Sequence, residues 1–113
     1  MSYKKSKGKW SRSHLFLKRK KTKNEEGHPA YIFERNKNQR RYLAFTHSSS
    51  TNKIKNIELD KNVDSRDNRK CHVHPIAKIA NVNDFEKPVN PYSLKTNRDK
   101  ELIKGIISKN KRK

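Results

Sequence analysis

The side chains best suited to chemistry in this sequence are histidines. His28 and His47 each lie next to a short segment of β-forming residues, and His72 and His74 follow Cys71 farther along the chain. An imidazole gains and loses a proton near neutral pH, so two histidines can serve as a general acid and a general base. The alternative for His28 and His47 is structural, with one ring hydrogen-bonded in a loop and the other exposed after a strand.

The Cys71-His72-Val73-His74 segment is the part of the chain closest to a metal-binding pattern. Side chains alternate between the two faces of a strand, so His72 and His74 share one face and Cys71 lies on the other. No second Cys/His pair stands at the spacing of a zinc site. A Gly-rich phosphate loop and a serine elbow motif are also missing from the sequence. The sequence therefore predicts no metal site and no cofactor.

The charge of the chain indicates its class of partner. Its 113 residues include 30 Lys+Arg and 11 Asp+Glu, which gives a formal net charge of +19. Such a charge favours polyanions, and we expect RNA or DNA rather than a membrane surface, because the basic segment lacks an amphipathic period. No apolar run is long enough for a membrane span or a secretory signal. Cys71 has no second cysteine to pair with, which favours the cytoplasm.

Residues 1–26 are predicted to form a basic arm that is disordered when free. Residues 1–23 contain ten Lys/Arg and no acidic residue, with three aromatic residues between them. Cations meet phosphates and rings stack on bases, so this mixture suits nucleic acid; the alternative is a solvated tail that aids solubility. The predicted contacts in the arm are Lys4, Lys5, Lys7, Lys9, Trp10, Arg12, Lys18, Arg19, Lys20 and Lys21.

Residues 27–108 are predicted to form a small domain of short strands followed by one helix, and 109–113 a basic tail. We expect strands at 30–33, 41–46 and 54–59, and a strand region at 71–80 that Pro75 interrupts. A long polar loop covers 60–70, and a helix with one apolar face covers 97–108. This order fits a small β-barrel with a helix packed against it. The first two strands are expected to form a hairpin. Further nucleic-acid contacts are predicted next to this hairpin and in the 60–70 loop: Arg40, Arg41, Arg66, Arg69 and Lys70. The alternative is that these residues are ordinary solvated charges.

The order of these motifs resembles the PemK/MazF-like family, small SH3-like barrels that include endoribonuclease toxins. Gly27-His28-Pro29-Ala30-Tyr31-Ile32 stands where the family has a Gly-rich loop, an Arg-Pro pair and an apolar strand. Leu43-Ala44-Phe45-Thr46 stands at its second strand, which ends in Thr or Ser. Two later strands correspond to Asn56-Ile57-Glu58-Leu59-Asp60 and to His74-Pro75-Ile76-Ala77-Lys78-Ile79. The resemblance covers about residues 27–108 and leaves the arm unexplained.

The resemblance implies an SH3-like barrel that binds and cleaves RNA, forms a homodimer and is covered by an acidic antitoxin-like protein. Family members that cleave RNA use the Arg before the Pro together with the Thr. Here His28 replaces that Arg, and it can transfer a proton but cannot grip phosphate permanently. The resemblance therefore implies a metal-independent site of His28, Thr46 and His47. Arg66 and Arg69 would stabilise charge on the phosphoryl oxygens.

The same departure from the family pattern fits a protein that binds nucleic acid without cutting it. This alternative is a basic accessory protein that docks on RNA, DNA or a larger ribonucleoprotein of a phage, plasmid or mobile element. A ribosome-associated protein is a third hypothesis, since basic arms on small β-domains suit packed ribosomal RNA. The hypotheses differ in one structural expectation: an enzyme needs His28 and His47 in one solvent-accessible cleft near Thr46.

Overall fold

The computed structural model of the protein describes residues 14–18 and 27–111. Within these ranges the chain is mainly β with an α-helix at its C-terminal end, which confirms the predicted fold class. The described strands are β1 (Leu15–Lys18), β2 (His28–Asn36), β3 (Gln39–Thr46), β4 (Ser50–Thr51), β5 (Ile54–Lys55), β6 (Ile57–Glu58), β7 (His72–Val73), β8 (Lys78–Asn81) and β9 (Phe85–Glu86). A 3-10 turn covers Val82–Asp84, and helix α1 covers Asn97–Lys111. The helices in these ranges are too short or too polar to cross a membrane.

The strands form an antiparallel sheet in the order β6-β7-β3-β2-β1-β9. Strand β3 is long enough to pair with β7 near its end and with β8 near its start. The β2–β3 hairpin is at the centre, and its turn places Lys37 at a φ of 55°. Strands β4 and β5 form a separate small hairpin. The pairings among the described residues leave the sheet open, so the SH3-like barrel stays a prediction.

Strand β1 lies within the segment for which the sequence predicted a disordered arm. It pairs with β2, with Leu15 opposite Tyr31 and Lys18 opposite His28, and its other edge pairs with β9. Leu15 is buried in the main core and Leu17 packs against that core, since alternate residues of a strand share a face. Residues 15–18 therefore belong to the sheet rather than to the arm. Residues 1–13 and 19–26 of the predicted arm lie outside the described residues.

The main core fills the space between the sheet and α1. Its twelve buried residues are Leu15, Tyr31, Leu43, Phe45, Leu59, Val63, Cys71, Val73, Tyr92, Leu94, Ile103 and Ile106. The apolar stripe predicted for the helix supplies Ile103 and Ile106, while Leu102 and Ile107 pack at its margin. The helix is therefore held by burial of one face, as its short length requires.

Two predicted strands are each divided in the structure. The predicted strand 54–59 is divided into β5 and β6 at Asn56, whose side chain is buried. Its amide donates to the carbonyl of Ser48 and to Oγ1 of Thr51. The region 71–80 becomes β7 and β8, separated around Pro75.

The helix extends three residues beyond its predicted end because Asn110 binds the chain next to Pro75. The Asn110 amide donates to the Pro75 carbonyl, and its Oδ1 accepts from the Ala77 N–H. Arg41 donates to the Asn110 carbonyl at 2.8 Å, and so satisfies one of the last carbonyl groups of the helix. These contacts join α1 to the break between β7 and β8.

A buried histidine next to this break makes the stability of the domain sensitive to acid. His74 is 5% exposed and its Nδ1 lies 2.8 Å from Oδ1 of Asn56. The Asn56 amide group already donates elsewhere, so its Oδ1 accepts and His74 donates. Burial, with Lys78 adding to it, lowers the pKa of His74.

We expect the free energy of unfolding to fall as the pH drops below about 6.5, the ordinary pKa of histidine. The unfolded chain then binds a proton at His74 that the folded chain does not, so acid favours unfolding. Urea denaturation at pH 7.5, 6.5 and 5.5 measures this slope. A His74→Gln variant carries no titrating ring and should show a shallower slope. Equal slopes for the two proteins would contradict the prediction.

Candidate active site

An open cleft of about 1140 Å³ lies where β2 begins and β3 ends. Ala30 pairs with Ala44, so the antiparallel register places the first residues of β2 beside the last residues of β3. The remaining walls come from the loop 62–71 and the segment 88–92. The hairpin that the sequence predicts thus brings two distant segments to one place.

The start of β2 is fixed by close packing on β1. A Cβ atom at Gly27 would overlap the carbonyl oxygen of Lys18, so only a glycine fits there without movement of the backbone. His28 follows Gly27 and pairs with Lys18 across the two strands. Its ring is therefore placed by the sheet and not by a free loop.

His28, Thr46 and His47 all line this cleft, as the site hypothesis requires. The ring centroids of His28 and His47 are 6.4 Å apart and the rings meet edge to face at 71°. Oγ1 of Thr46 accepts the N–H of Ser48 at 3.1 Å. The Thr46 hydroxyl proton can therefore still donate to a ligand.

A carboxylate that sequence reasoning did not select holds His47 in place. Nε2 of His47 lies 2.8 Å from Oδ2 of Asp67. The Arg69 guanidinium donates two hydrogen bonds to the same carboxylate, from Nε to Oδ1 at 3.0 Å and from Nη2 to Oδ2 at 3.2 Å. The Arg69 contact, aided by His47, holds the pKa of Asp67 well below its usual range despite partial burial. Asp67 lies twenty positions after His47, so no local spacing in the sequence indicates this pair.

The loop that carries Asp67 is ordered by its own short polar side chains. Oδ1 of Asn62 accepts the N–H of Asp64, Oδ1 of Asp64 accepts that of Arg66, and Oδ1 of Asp67 accepts that of Arg69. Each contact closes an Asx turn, the arrangement that makes Asn and Asp common in turns. The Asn62 amide also donates to the Arg69 carbonyl and so ties the two ends of the loop together. The loop can therefore present its side chains to the cleft without forming a strand or helix.

The two loop arginines have different partners. Arg69 is bound to Asp67, whereas the Arg66 guanidinium has no hydrogen bond or ion pair with the described residues. Both residues line the cleft. Arg66 can therefore meet an incoming anion directly, while the contacts of Arg69 position Asp67.

The other predicted nucleic-acid contacts lie away from the cleft lining. Arg40 donates to the carbonyls of Lys37 and Gln39. Arg41 pairs with Glu34 at 3.1 Å, in addition to its contact with the helix end. Lys70 lies 3.8 Å from a carboxylate oxygen of Glu58 on the surface, and Lys18 is in β1. The predicted contacts Lys4 to Arg12 and Arg19 to Lys21 lie outside the described residues.

The Cys71-His72-Val73-His74 segment serves the core in this structure. His72 and His74 are both buried, and Nδ1 of His72 has no hydrogen-bond partner among the described residues. Cys71 is 4% exposed and lines the cleft. In residues 14–18 and 27–111, no three His, Cys, Asp or Glu side chains are grouped so that they could hold a metal ion.

The Cys71 thiol is expected to react slowly in the folded protein. Burial raises its pKa to about 11, so little reactive thiolate exists at pH 8. The shift in thiolate fraction alone predicts a reaction with a disulfide reagent about 100-fold slower in buffer than in urea. Equal rates in the two solvents would show that the thiol is accessible and ionised in the native state.

Comparison of the chain with protein-family models, curated proteins and solved structures gives no match. The PemK/MazF-like resemblance therefore stays a prediction.

Proposed function

We propose that this protein binds RNA and cleaves its phosphodiester backbone without a metal ion, in the cleft between β2 and β3. The observation that carries the proposal is the convergence of His28 and His47 in one open cleft with Thr46 and Arg66. Two imidazoles, a guanidinium and a hydroxyl in one cleft can supply proton transfer and an anion contact together.

The chemistry uses the ribose of the substrate as the nucleophile. One histidine removes the proton of the 2′-hydroxyl, whose oxygen then forms a bond to phosphorus. The bond from phosphorus to the 5′-oxygen of the next nucleotide breaks, and the other histidine gives that oxygen a proton. The products are a 2′,3′-cyclic phosphate and a 5′-hydroxyl, so atoms and electrons balance without a further reactant. DNA lacks the 2′-hydroxyl and cannot follow this route.

The remaining cleft residues support charge that builds on the phosphoryl oxygens. The Arg66 guanidinium has no partner among the described residues, so it can contact these oxygens. The Thr46 hydroxyl can donate a hydrogen bond to them. Arg is suited to this role because its planar donors match two phosphate oxygens. The net charge of +19 adds affinity that does not depend on sequence and falls with salt. The toxin-like role, the acidic partner and the homodimer are further parts of this proposal, supported by the resemblance alone.

The test is incubation of the purified protein with labelled single-stranded RNA and with DNA of the same sequence, both in EDTA. We expect RNA to be cut to 2′,3′-cyclic phosphate ends and DNA to stay intact. An RNA with one 2′-deoxy residue should resist cleavage at that position. The His28→Ala/His47→Ala double variant should bind RNA and leave it uncut.

Intact RNA together with salt-sensitive binding would overturn the proposal and favour the non-enzymatic accessory protein. Cleavage that persists in the double variant would show a contaminating nuclease or a different site. Binding is measured by fluorescence anisotropy at several salt concentrations, so that loss of cleavage and loss of binding are separated.

A further inference from the structure

We propose that the β4–β5 hairpin is an RNA-binding element that holds the phosphate backbone next to the cleft, with Lys53 and Lys55 as its contacts. This inference rests on the proposed function and deepens it, because it names a second contact surface for the same RNA. Neither lysine is among the nucleic-acid contacts predicted from the sequence.

The hairpin lies close to the cleft because it follows His47, which is part of the cleft lining. Ser50, the first residue of β4, is three positions after His47, and three residues span at most about 11 Å. Lys55 of β5 pairs with Ser50, and paired residues of antiparallel strands have Cα atoms about 5 Å apart. An RNA strand that extends beyond the cleft on this side can therefore reach the hairpin.

The base of the hairpin is fixed to the core of the domain through Asn56. The backbone N–H of Asn56 donates to the carbonyl of Ser49 at 2.8 Å. Its buried side chain donates to the carbonyl of Ser48 and to Oγ1 of Thr51. Oδ1 of Asn56 lies 2.8 Å from the ring of the buried His74. The hairpin is thus held in one position at the end of β3, as a binding element requires.

The tip of the hairpin has no part in the packing of the domain. Neither of the two buried clusters of the described residues contains a side chain from 48–55. Lys53, Ile54 and Lys55 are all exposed. Burial of apolar surface therefore gives no reason for the residues found at this tip.

The turn of the hairpin contains a residue that its backbone conformation does not favour. Asn52 and Lys53 have φ values of 52° and 68°, as in the type I′ turn, which prefers asparagine followed by glycine. Asn52 fits this preference, but Lys53 occupies a left-handed conformation that glycine adopts at lower cost. The Lys53 ammonium makes no hydrogen bond or ion pair with the described residues. The turn therefore carries, at a conformational cost, a side chain that the fold does not use.

The charge of the hairpin fits the phosphates of a nucleic acid. Lys55 also makes no hydrogen bond or ion pair with the described residues, and residues 35–57 contain no Asp or Glu. Lysine and serine side chains both contact phosphate oxygens, and Ser49 and Ser50 are exposed beside the lysines. A positive surface that follows the backbone is the usual means of holding a single strand.

The test measures RNA binding by the His28→Ala/His47→Ala protein, which should leave the RNA intact, with and without a change at Lys53. Fluorescence anisotropy with single-stranded RNA gives Kd over a series of salt concentrations. We expect Lys53→Gly to weaken binding by about 5-fold at about 0.1 M salt and to reduce the slope of log Kd against log salt by about 0.7, the value for one phosphate contact to a single strand. Lys53→Arg keeps the charge and should restore both values.

The matched control is Lys37→Gly in the same protein. Lys37 also has a positive φ in a hairpin turn, 55°, but that turn lies at the far end of the nine-residue strand β2, about 25 Å from the cleft. The control removes an equal charge, and it should leave the slope unchanged and Kd within about 2-fold. Urea denaturation should give no lower midpoint for either glycine variant, because glycine suits a positive φ, so weaker binding does not reflect unfolding.

Equal changes for Lys53→Gly and Lys37→Gly would overturn the inference, because they would show an effect of net charge alone. An unchanged salt slope in Lys53→Gly would overturn it as well and would leave the hairpin as a solvated surface. RNA binding that depends on Lys53, in a protein whose wild type leaves RNA uncut, would support the hairpin while the proposed cleavage fails. A wild type that binds no RNA would overturn both.

Discussion

Replacing His28 by alanine is expected to slow metal-free cleavage of RNA by about 100- to 10,000-fold, the usual contribution of a general acid or base. The ring lines the cleft opposite His47, and no other described imidazole is placed to take over proton transfer there. Binding of RNA should change much less, because the charge of the chain supplies most of the affinity. Single-turnover rates with the enzyme in excess, and anisotropy on the same RNA, measure the two effects separately.

A His28→Arg variant tests whether this position transfers a proton or only grips the phosphate. Arginine restores the residue of the PemK/MazF-like pattern but cannot lose its proton near neutral pH. We expect His28→Arg to bind RNA at least as well as the wild type and to cleave it as slowly as His28→Ala. Recovery of the rate with arginine would contradict proton transfer by His28 and would favour the chemistry of the family.

The matched control is His14→Ala. His14 stacks on Tyr31 with the ring centroids 5.4 Å apart and is not part of the cleft lining. Its removal should leave the cleavage rate within about 2-fold, because the half-buried ring lies outside the cleft lining and does not contact the reacting groups. A loss equal to that of His28→Ala would show that the effect does not come from the cleft.

Replacing Asp99 by alanine is expected to lower the free energy of unfolding by about 2–4 kcal/mol. The Asp99 side chain is fully buried, and its carboxylate accepts the N–H groups of Asp60 and Lys61 at 2.9 to 3.2 Å. Arg98 contacts the same carboxylate at 3.2 Å. Alanine would leave both N–H groups without an acceptor, and a small domain has little stability to lose. Urea denaturation followed by far-UV circular dichroism measures the change.

Two further variants separate the contact of Asp99 with Asp60 and Lys61 from general effects on the stability of the helix. Glu101→Ala removes a carboxylate from the same turn of α1, but its side chain is 73% exposed and its ion pair among the described residues is with the exposed Lys104. Its effect should stay within about 0.5 kcal/mol. Asp99→Asn keeps one acceptor oxygen and should fall between the two. If Asp99→Ala lowered the free energy of unfolding no more than Glu101→Ala, the contact of Asp99 with the loop would not stabilise the domain.

Asp99 also shows how helix and cleft are connected. Asp60 and Lys61 begin the loop that goes on to carry Arg66 and Asp67. Thr96 caps the helix by accepting the N–H of Asp99, and its hydroxyl also donates to Asp60. The sequence shows Thr96 and Asp99 only as polar residues near the start of the predicted helix. It contains no signal that Asp99 also binds a segment almost forty residues earlier.

Local patterns by themselves determined the fold class and the first half of the site. Short runs of apolar and aromatic residues define β2 and β3, the polar Asn36-Lys37-Asn38 segment joins them, and the antiparallel register then brings His28 next to Thr46 and His47. The apolar spacing of α1 and the interruption at Pro75 were equally visible. These features depend on neighbours in the chain, whose effects follow from propensity and periodicity.

The tertiary structure decided the rest, because the contacts concerned join residues far apart in the chain. In the sequence, Leu15 and Leu17 are a short apolar group within a basic segment. In the structure they belong to a strand that pairs with β2 on one edge and with β9 on the other. Asp67 is one acidic residue in a polar loop until the fold places it 2.8 Å from His47. Which of several similar carboxylates meets a histidine depends on how the loop packs, and that is determined by burial of Val63 and Cys71 in the shared core. Composition and local spacing do not predict such long-range packing, so these contacts are seen only in the folded chain.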